Sequence, residues 1–98
     1  VAMPVNEENL ENKKYGYINR RGQFIVEPQY DRAFTFKSGR ARIKKDGKFG
    51  YINERGQVIA EPIYDKAWDF NGNFALVKLG NKYGYINKQG VFALEPIS

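Results

Sequence analysis

The sequence predicts an all-β fold built from three tandem, three-stranded antiparallel meanders. Three observations carry this. The nine residues KYGYINRRG at Lys14–Gly22 return as KFGYINERG at Lys48–Gly56 and as KYGYINKQG at Lys82–Gly90. Gly16, Gly50 and Gly84 are 34 residues apart, as are Pro28, Pro62 and Pro96, so one period runs through nearly all of the 98 residues and marks a repeat architecture. Helical repeats share that period, but the residue types here exclude them. Runs such as GQVIAEPIYD carry a proline, which lacks an N–H and clashes with the preceding turn of a helix.

Each copy divides into three strands. The first is GRARIK or FALVKL, in which Ala41 and Ile43, or Ala75 and Val77, alternate with longer or charged neighbours, the period-2 pattern of a strand with one face buried. The second is KFGYIN and its equivalents, and the third is QVIAEP and its equivalents. Asp46–Gly47 and Gly80–Asn81 join first to second strands, and both dipeptides suit two-residue hairpins that need positive φ. The turns NRRG, NERG and NKQG join second to third. Asn at the first position and Gly three later fit a type I turn closed by a left-handed glycine. Ala2–Val5 takes the first-strand role in the opening copy, with a longer loop to Tyr15, and Pro4 is tolerable there on an edge strand. Nine strands result, in one domain with units at about 1–36, 37–70 and 71–98. They are expected to stack as a short solenoid or to close about a pseudo-threefold axis. The aromatic links YDRAFTF (Tyr30–Phe36) and YDKAWDF (Tyr64–Phe70) are expected to carry the chain onward and to pack between neighbouring copies.

The order aromatic–Gly–Tyr–Ile–Asn, then Gly, then Glu–Pro–x–Tyr–Asp resembles the WG repeat family, also called KWG repeats, which occurs widely in bacterial proteins. The resemblance spans Lys14 to Pro96. It departs at the namesake Trp, which is Tyr15, Phe49 and Tyr83 here; a ring is kept for packing, without an indole N–H. The resemblance implies a β-rich tandem repeat that mediates binding, and it transfers no catalytic residues.

Composition narrows the chemistry. Cysteine and histidine are both absent, which removes disulfides, the commonest zinc ligands and the usual general bases. No nucleophile–base pair can be assembled by inspection, so no enzyme, cofactor or metal is expected. No stretch approaches the ~18 apolar residues of a membrane-spanning helix, and the opening VAMPVNEENLENKK has no basic segment followed by an apolar run. Compartment stays open.

Residues that recur once per copy are what the copy needs in order to form. Gly16, Gly50 and Gly84, inside strands, imply a close approach, expected from a link ring such as Phe34 or Trp68. Tyr17, Tyr51 and Tyr85 supply buried rings whose hydroxyls seek partners. Pro28, Pro62 and Pro96 are expected to end third strands. Glu27, Glu61 and Glu95 could converge on a cation, but the preferred reading is that each pairs with a repeat Lys or Arg or accepts backbone hydrogen bonds. Asp31 and Asp65 read as turn or cap residues.

Function is expected where the copies differ. Lys37–Lys48 carries Lys37, Arg40, Arg42, Lys44, Lys45 and Lys48 against one acid, Asp46. Arg40, Arg42 and Lys44 alternate, so they share a strand face. Trp68, the single tryptophan, is expected to be buried like its counterpart Phe34, and would anchor a partner if exposed. The preferred reading is a protein-binding module using Arg40, Arg42, Lys44 and Trp68. The alternatives are a cell-wall or glycan-binding module, and weak nucleic-acid binding through the basic stripe, favoured by the net charge of +5.

Overall fold

The computed structural model describes residues 3–7 and 14–97, and the described chain is all β, with eleven strands and no helix. They are β1 Met3–Glu7, β2 Lys14–Ile18, β3 Phe24–Tyr30, β4 Arg32–Lys37, β5 Arg40–Lys45, β6 Lys48–Asn53, β7 Val58–Tyr64, β8 Lys66–Ala67, β9 Phe74–Leu79, β10 Lys82–Asn87 and β11 Phe92–Ile97. Three antiparallel sheets form, in the orders β1-β2-β3, β4-β5-β6-β7 and β11-β10-β9-β8. The sheets follow one another as an open row of about 40 × 28 × 16 Å, and none closes into a barrel. The longer loop expected before Tyr15 lies mostly outside the described residues.

Two strands more than the expected nine come from the links. The first link is β4, paired to β5 through Arg32↔Lys44, Ala33↔Ile43, Phe36↔Ala41 and Lys37↔Arg40. Ser38 and Gly39 both have positive φ, 53° and 78°, and so fold the link back as a two-residue hairpin. The second link pairs more briefly, through Lys66↔Lys78 and Ala67↔Val77. Each link therefore joins the meander that follows it, and the sheets divide after Tyr30 and Tyr64 rather than after residues 36 and 70.

The second-to-third turns form as the sequence predicts. Gly22, Gly56 and Gly90 have φ of 79°, 84° and 80°, and each donates its N–H to the carbonyl of the Asn three residues earlier. The Asn side chain completes the turn: Asn19 Oδ1 accepts from the backbone of Arg21 and Gln23, and Asn53 and Asn87 repeat the pattern.

The in-strand glycines answer to a different neighbour from the one expected. A Cβ on Gly50 would stand 2.5 Å from the Ala60 carbonyl oxygen and 2.8 Å from Pro62 N, and one on Gly84 2.7 Å from the Leu94 carbonyl oxygen. Gly16 meets Val26 and Pro28 in the same way. The atoms nearest each added Cβ belong to the backbone of the chain's own third strand. The register explains why. Tyr15 pairs with Tyr30 and Tyr17 with Val26, so Glu27, Pro28 and Gln29 together oppose Gly16. Proline gives no ladder N–H, the strand bulges toward its neighbour, and only glycine leaves room. Pro28 accordingly sits within β3 rather than at its end, as do Pro62 in β7 and Pro96 in β11.

Two cores hold the row together, and they are the same core twice. Between the first and second sheets lie Tyr17, Val26, Tyr30, Ala41, Ile43 and Ile52. Between the second and third lie their equivalents one period later, Tyr51, Ala60, Tyr64, Ala75, Val77 and Ile86, joined by Ala67 and Phe70. Alternation puts Tyr51 on one face of β6 and Ile52 on the other, so the middle sheet is buried on both sides. Each of the two cores thus takes a Tyr and the third strand from the sheet before it, and the first strand and an Ile from the sheet after it. The interface is fastened by the tyrosine hydroxyls. Tyr17 donates to the Phe34 carbonyl at 2.7 Å and Tyr51 to the Trp68 carbonyl at 2.6 Å, while Phe36 and Phe70 meet those Tyr rings edge-on at 5.3 and 5.0 Å. Burial raises the pKa of both tyrosines well above the usual phenol range.

A candidate binding groove beside Trp68

The hairpin turns and the link aspartates fix the rim of a groove on the second and third sheets. Asp31 Oδ1 pairs with Lys14 Nζ at 2.6 Å, and its Oδ2 accepts from the backbone N–H of Asp46 at 2.8 Å. One period later Asp65 pairs with Lys48 and accepts from the Gly80 N–H. The hydrogen bonds from Lys14 and Lys48, then those from the backbone, hold both carboxyls below the usual aspartate value. The aspartates are turn clamps, and they take the repeat lysines. Glu27, Glu61 and Glu95 are exposed and make no ion pair among the described residues. No three acidic side chains among the described residues are grouped closely enough to hold a metal ion.

The basic stripe is divided by the fold. Arg40 turns to the third meander, where Nε donates to the Lys88 carbonyl at 2.7 Å, while Nη1 donates to the carbonyl of its own neighbour Gly39 at 2.9 Å. Arg42 is a clasp between sheets. Its guanidinium lies 4.1 Å from the Phe34 ring centroid, donates to the Ala67 carbonyl at 2.5 Å and stands 3.6 Å from the Asp69 carboxylate, leaving the side chain 20% exposed. Two of the three stripe residues therefore grip a neighbouring copy. Lys44 does not; its ammonium lies 5.3 Å from the Phe49 ring centroid and makes no hydrogen bond among the described residues.

Trp68 is the other departure from expectation. Its backbone is held on both sides, with the N–H donating to Leu76 and the carbonyl accepting from Tyr51, yet its side chain is 41% exposed. The reason is one substitution between copies. Phe34 is covered by the Arg42 guanidinium, and the position equivalent to Arg42 in the third copy is Leu76, which carries no cation to stack on the indole. Trp68 keeps only the ring contact that both copies share: it leans on Tyr83 as Phe34 leans on Phe49, each pair with centroids 6.3 Å apart.

Lys44 and Trp68 meet in a cavity of about 370 Å³, lined also by Gly47, Phe49, Asp65, Lys66 and Ala67. Its charge is one-sided, because the Asp65 carboxylate is already engaged by Lys48 and a backbone N–H, while Lys44 and Lys66 make no ion pair among the described residues. Chemically the groove offers two ring surfaces, Phe49 and Trp68, beside two ammonium groups. By sequence Phe49 is singled out only as a packing ring, and Lys66 not at all. Lys66 and Trp68 stand two apart, a spacing that places them on one strand face, but this could be read only once the link was recognised as extended.

Fold and groove define an all-β tandem-repeat domain whose copies differ on their exposed side. The family model for the WG containing repeat matches residues 15–49 and 49–83, and the chain belongs to that family. The matched unit runs from one middle-strand aromatic to the next and so holds most of one inter-sheet core, all but Ile52 of the first and Ile86 of the second. No curated protein and no solved structure matches the chain.

Proposed function

We propose that this chain is a non-catalytic repeat module that binds another protein, taking an extended acidic segment in the groove between Lys44 and Trp68. The observation that supports this reading is the exposed indole of Trp68 on a backbone fixed at both its N–H and its carbonyl, in a 370 Å³ cavity beside Lys44 and Lys66. An aromatic held in place loses little freedom on binding, and tryptophan is over-represented among residues that dominate interface energies. The two lysines select an acidic partner and speed its approach. Nucleic acid is a weaker fit, because Arg40 is turned onto backbone carbonyls and Arg42 is held between the Ala67 carbonyl, the Asp69 carboxylate and the Phe34 ring. Glycan binding is the second reading, favoured by the Trp68–Tyr83 ring pair, with both side chains exposed.

The test is an array of extended peptides run with a glycan array, using the unaltered chain and Trp68→Ala. Acidic peptides bearing one aromatic should be selected, with affinity reduced at least about tenfold by the substitution and weakened by salt. Selection of glycans alone would replace this reading by the second. Peptide binding indifferent to Trp68→Ala would remove the groove from it.

A further inference from the structure

The forward face of the third sheet lacks what covers the same face of the first two. In those sheets the next link supplies three contacts. Its Asp pairs with the repeat lysine, as in Lys14–Asp31 and Lys48–Asp65. A backbone carbonyl accepts from the tyrosine hydroxyl, as in Tyr17–Phe34 and Tyr51–Trp68. Its last Phe meets the tyrosine ring edge-on, as in Tyr17–Phe36 and Tyr51–Phe70. The equivalents in the third sheet are Lys82 and Tyr85. Among the described residues Lys82 makes no ion pair, and the Tyr85 hydroxyl makes no hydrogen bond. Tyr17 and Tyr51 are fully buried, whereas Tyr85 is 43% exposed. Leu94, which stands where Val26 and Ala60 are core, is 47% exposed. Tyr85, Leu94, Ala93 and Phe74 line an apolar hollow of about 270 Å³.

We propose that this face is a docking surface for the link of one further repeat of the same kind. The occupant is an extended segment of the pattern Asp–(Arg or Lys)–Ala–aromatic–x–Phe, which both of the chain's own links display as DRAFTF and DKAWDF. The surface continues an interface the molecule already makes twice, so the chemistry of its occupant is set by precedent. The Asp reaches Lys82, the aromatic residue's carbonyl takes the Tyr85 hydroxyl, and the terminal Phe fills the hollow against the Tyr85 ring. A second copy of this chain cannot supply the segment without unfolding, because its two links are already seated on Tyr17 and Tyr51. The surface is separate from the Trp68 groove and does not depend on that groove's function.

The experiment extends the full chain after Ser98 with a second copy of residues 31–64, which continues the 34-residue period without a gap. Nitration of tyrosines is mapped by mass spectrometry in the original and extended chains. Tyr85 should react in the original and fall at least about tenfold in the extended chain, as a ring moved from a half-exposed to a fully buried site does. Tyr15, at the far end of the row, should keep its reactivity. Leu94→Lys in the extended chain, a change at an exposed position, should restore Tyr85 reactivity, as should Phe→Ala at the added copy of Phe36. Unchanged Tyr85 reactivity in the extended chain would overturn the proposal, whether or not the added repeat folds. Protection that survives both substitutions would also overturn it, because the burial would then not depend on the link.

Discussion

The three turn glycines provide a graded test of how the sheets pack. Gly22, Gly56 and Gly90 share one turn, one hydrogen bond and φ within a few degrees of 80°, so alanine costs the same local strain at each, about 1–2 kcal/mol for a left-handed residue. Their surroundings differ. A Cβ at Gly22 meets nothing within 4 Å. At Gly56 it meets the Val26 Cγ2 at 2.7 Å and Ile25 atoms at 3.1 Å, mostly side chain of the preceding sheet. At Gly90 it runs into the Ile59 carbonyl oxygen, with the carbonyl carbon at 2.9 Å. Overpacking of this kind adds about 1–3 kcal/mol, less where a side chain can yield and more where backbone must move. Gly22→Ala should therefore cost about 1–2 kcal/mol, Gly56→Ala more, and Gly90→Ala most. Thermal and urea melts followed by circular dichroism measure this directly, at about 4–8 °C in Tm per kcal/mol. Equal losses at all three positions would refute the close approach of each turn to the sheet before it.

Three further outcomes follow from the same geometry. Tyr51→Phe removes a buried hydroxyl bonded to Trp68 and should cost about 1 kcal/mol, whereas Tyr85→Phe should fall within about 0.5 kcal/mol of no change; chemical denaturation separates them. Asp31 and Asp65 have lowered pKa values in the folded chain, so their stabilisation is present above the unfolded aspartate value of about 3.9 and is lost as pH falls through the folded value. Melts between pH 5 and about pH 2 should show that loss, and Asp31→Asn with Asp65→Asn should flatten it. Tyr17 and Tyr51 have raised values, so the unfolded chain ionises first, and stability should decline as pH rises through about 10; Tyr51→Phe should reduce that decline.

Much of the architecture was legible because the copies restate it. The Asn–x–x–Gly turn, the hairpin at Asp46–Gly47 and the alternating Ala41 and Ile43 each carry a local physical signature, and each forms as read. What was not legible depends on the neighbouring copy or on backbone approach. RAFTF looks like a connector until the Ser38–Gly39 turn folds it onto β5. The need for Gly16 arises from a proline bulge one strand away, which a ring contact could equally have explained. Tyr85 and Tyr51 sit in the same Gly–Tyr–Ile–Asn stretch and differ in exposure, and a link lies over Tyr51. In the groove, Trp68 was found because it differs from Phe34, and Lys44, whose counterpart Lys78 is also a lysine, because it alternates with Arg40 and Arg42. The loss of Arg42 and Arg40 to inter-sheet clasps could not be seen in a stripe of charges, since alternation gives the face and not what lies over it.

The central claim is that the repeated residues build the scaffold while the differences between copies carry recognition. The most direct measurement is to convert the second link into the first with Lys66→Arg, Trp68→Phe and Asp69→Thr, so that KAWDF becomes RAFTF, and to measure stability and peptide affinity on the same chain. The backbone contacts to Tyr51 and Leu76 need no particular side chain at these positions, and the half-exposed Asp69 lies 3.6 Å from Arg42, a pair worth about 1 kcal/mol or less, so the account predicts a melt within about 1 kcal/mol of the original and affinity reduced at least about tenfold. Undiminished affinity with the fold intact would contradict it.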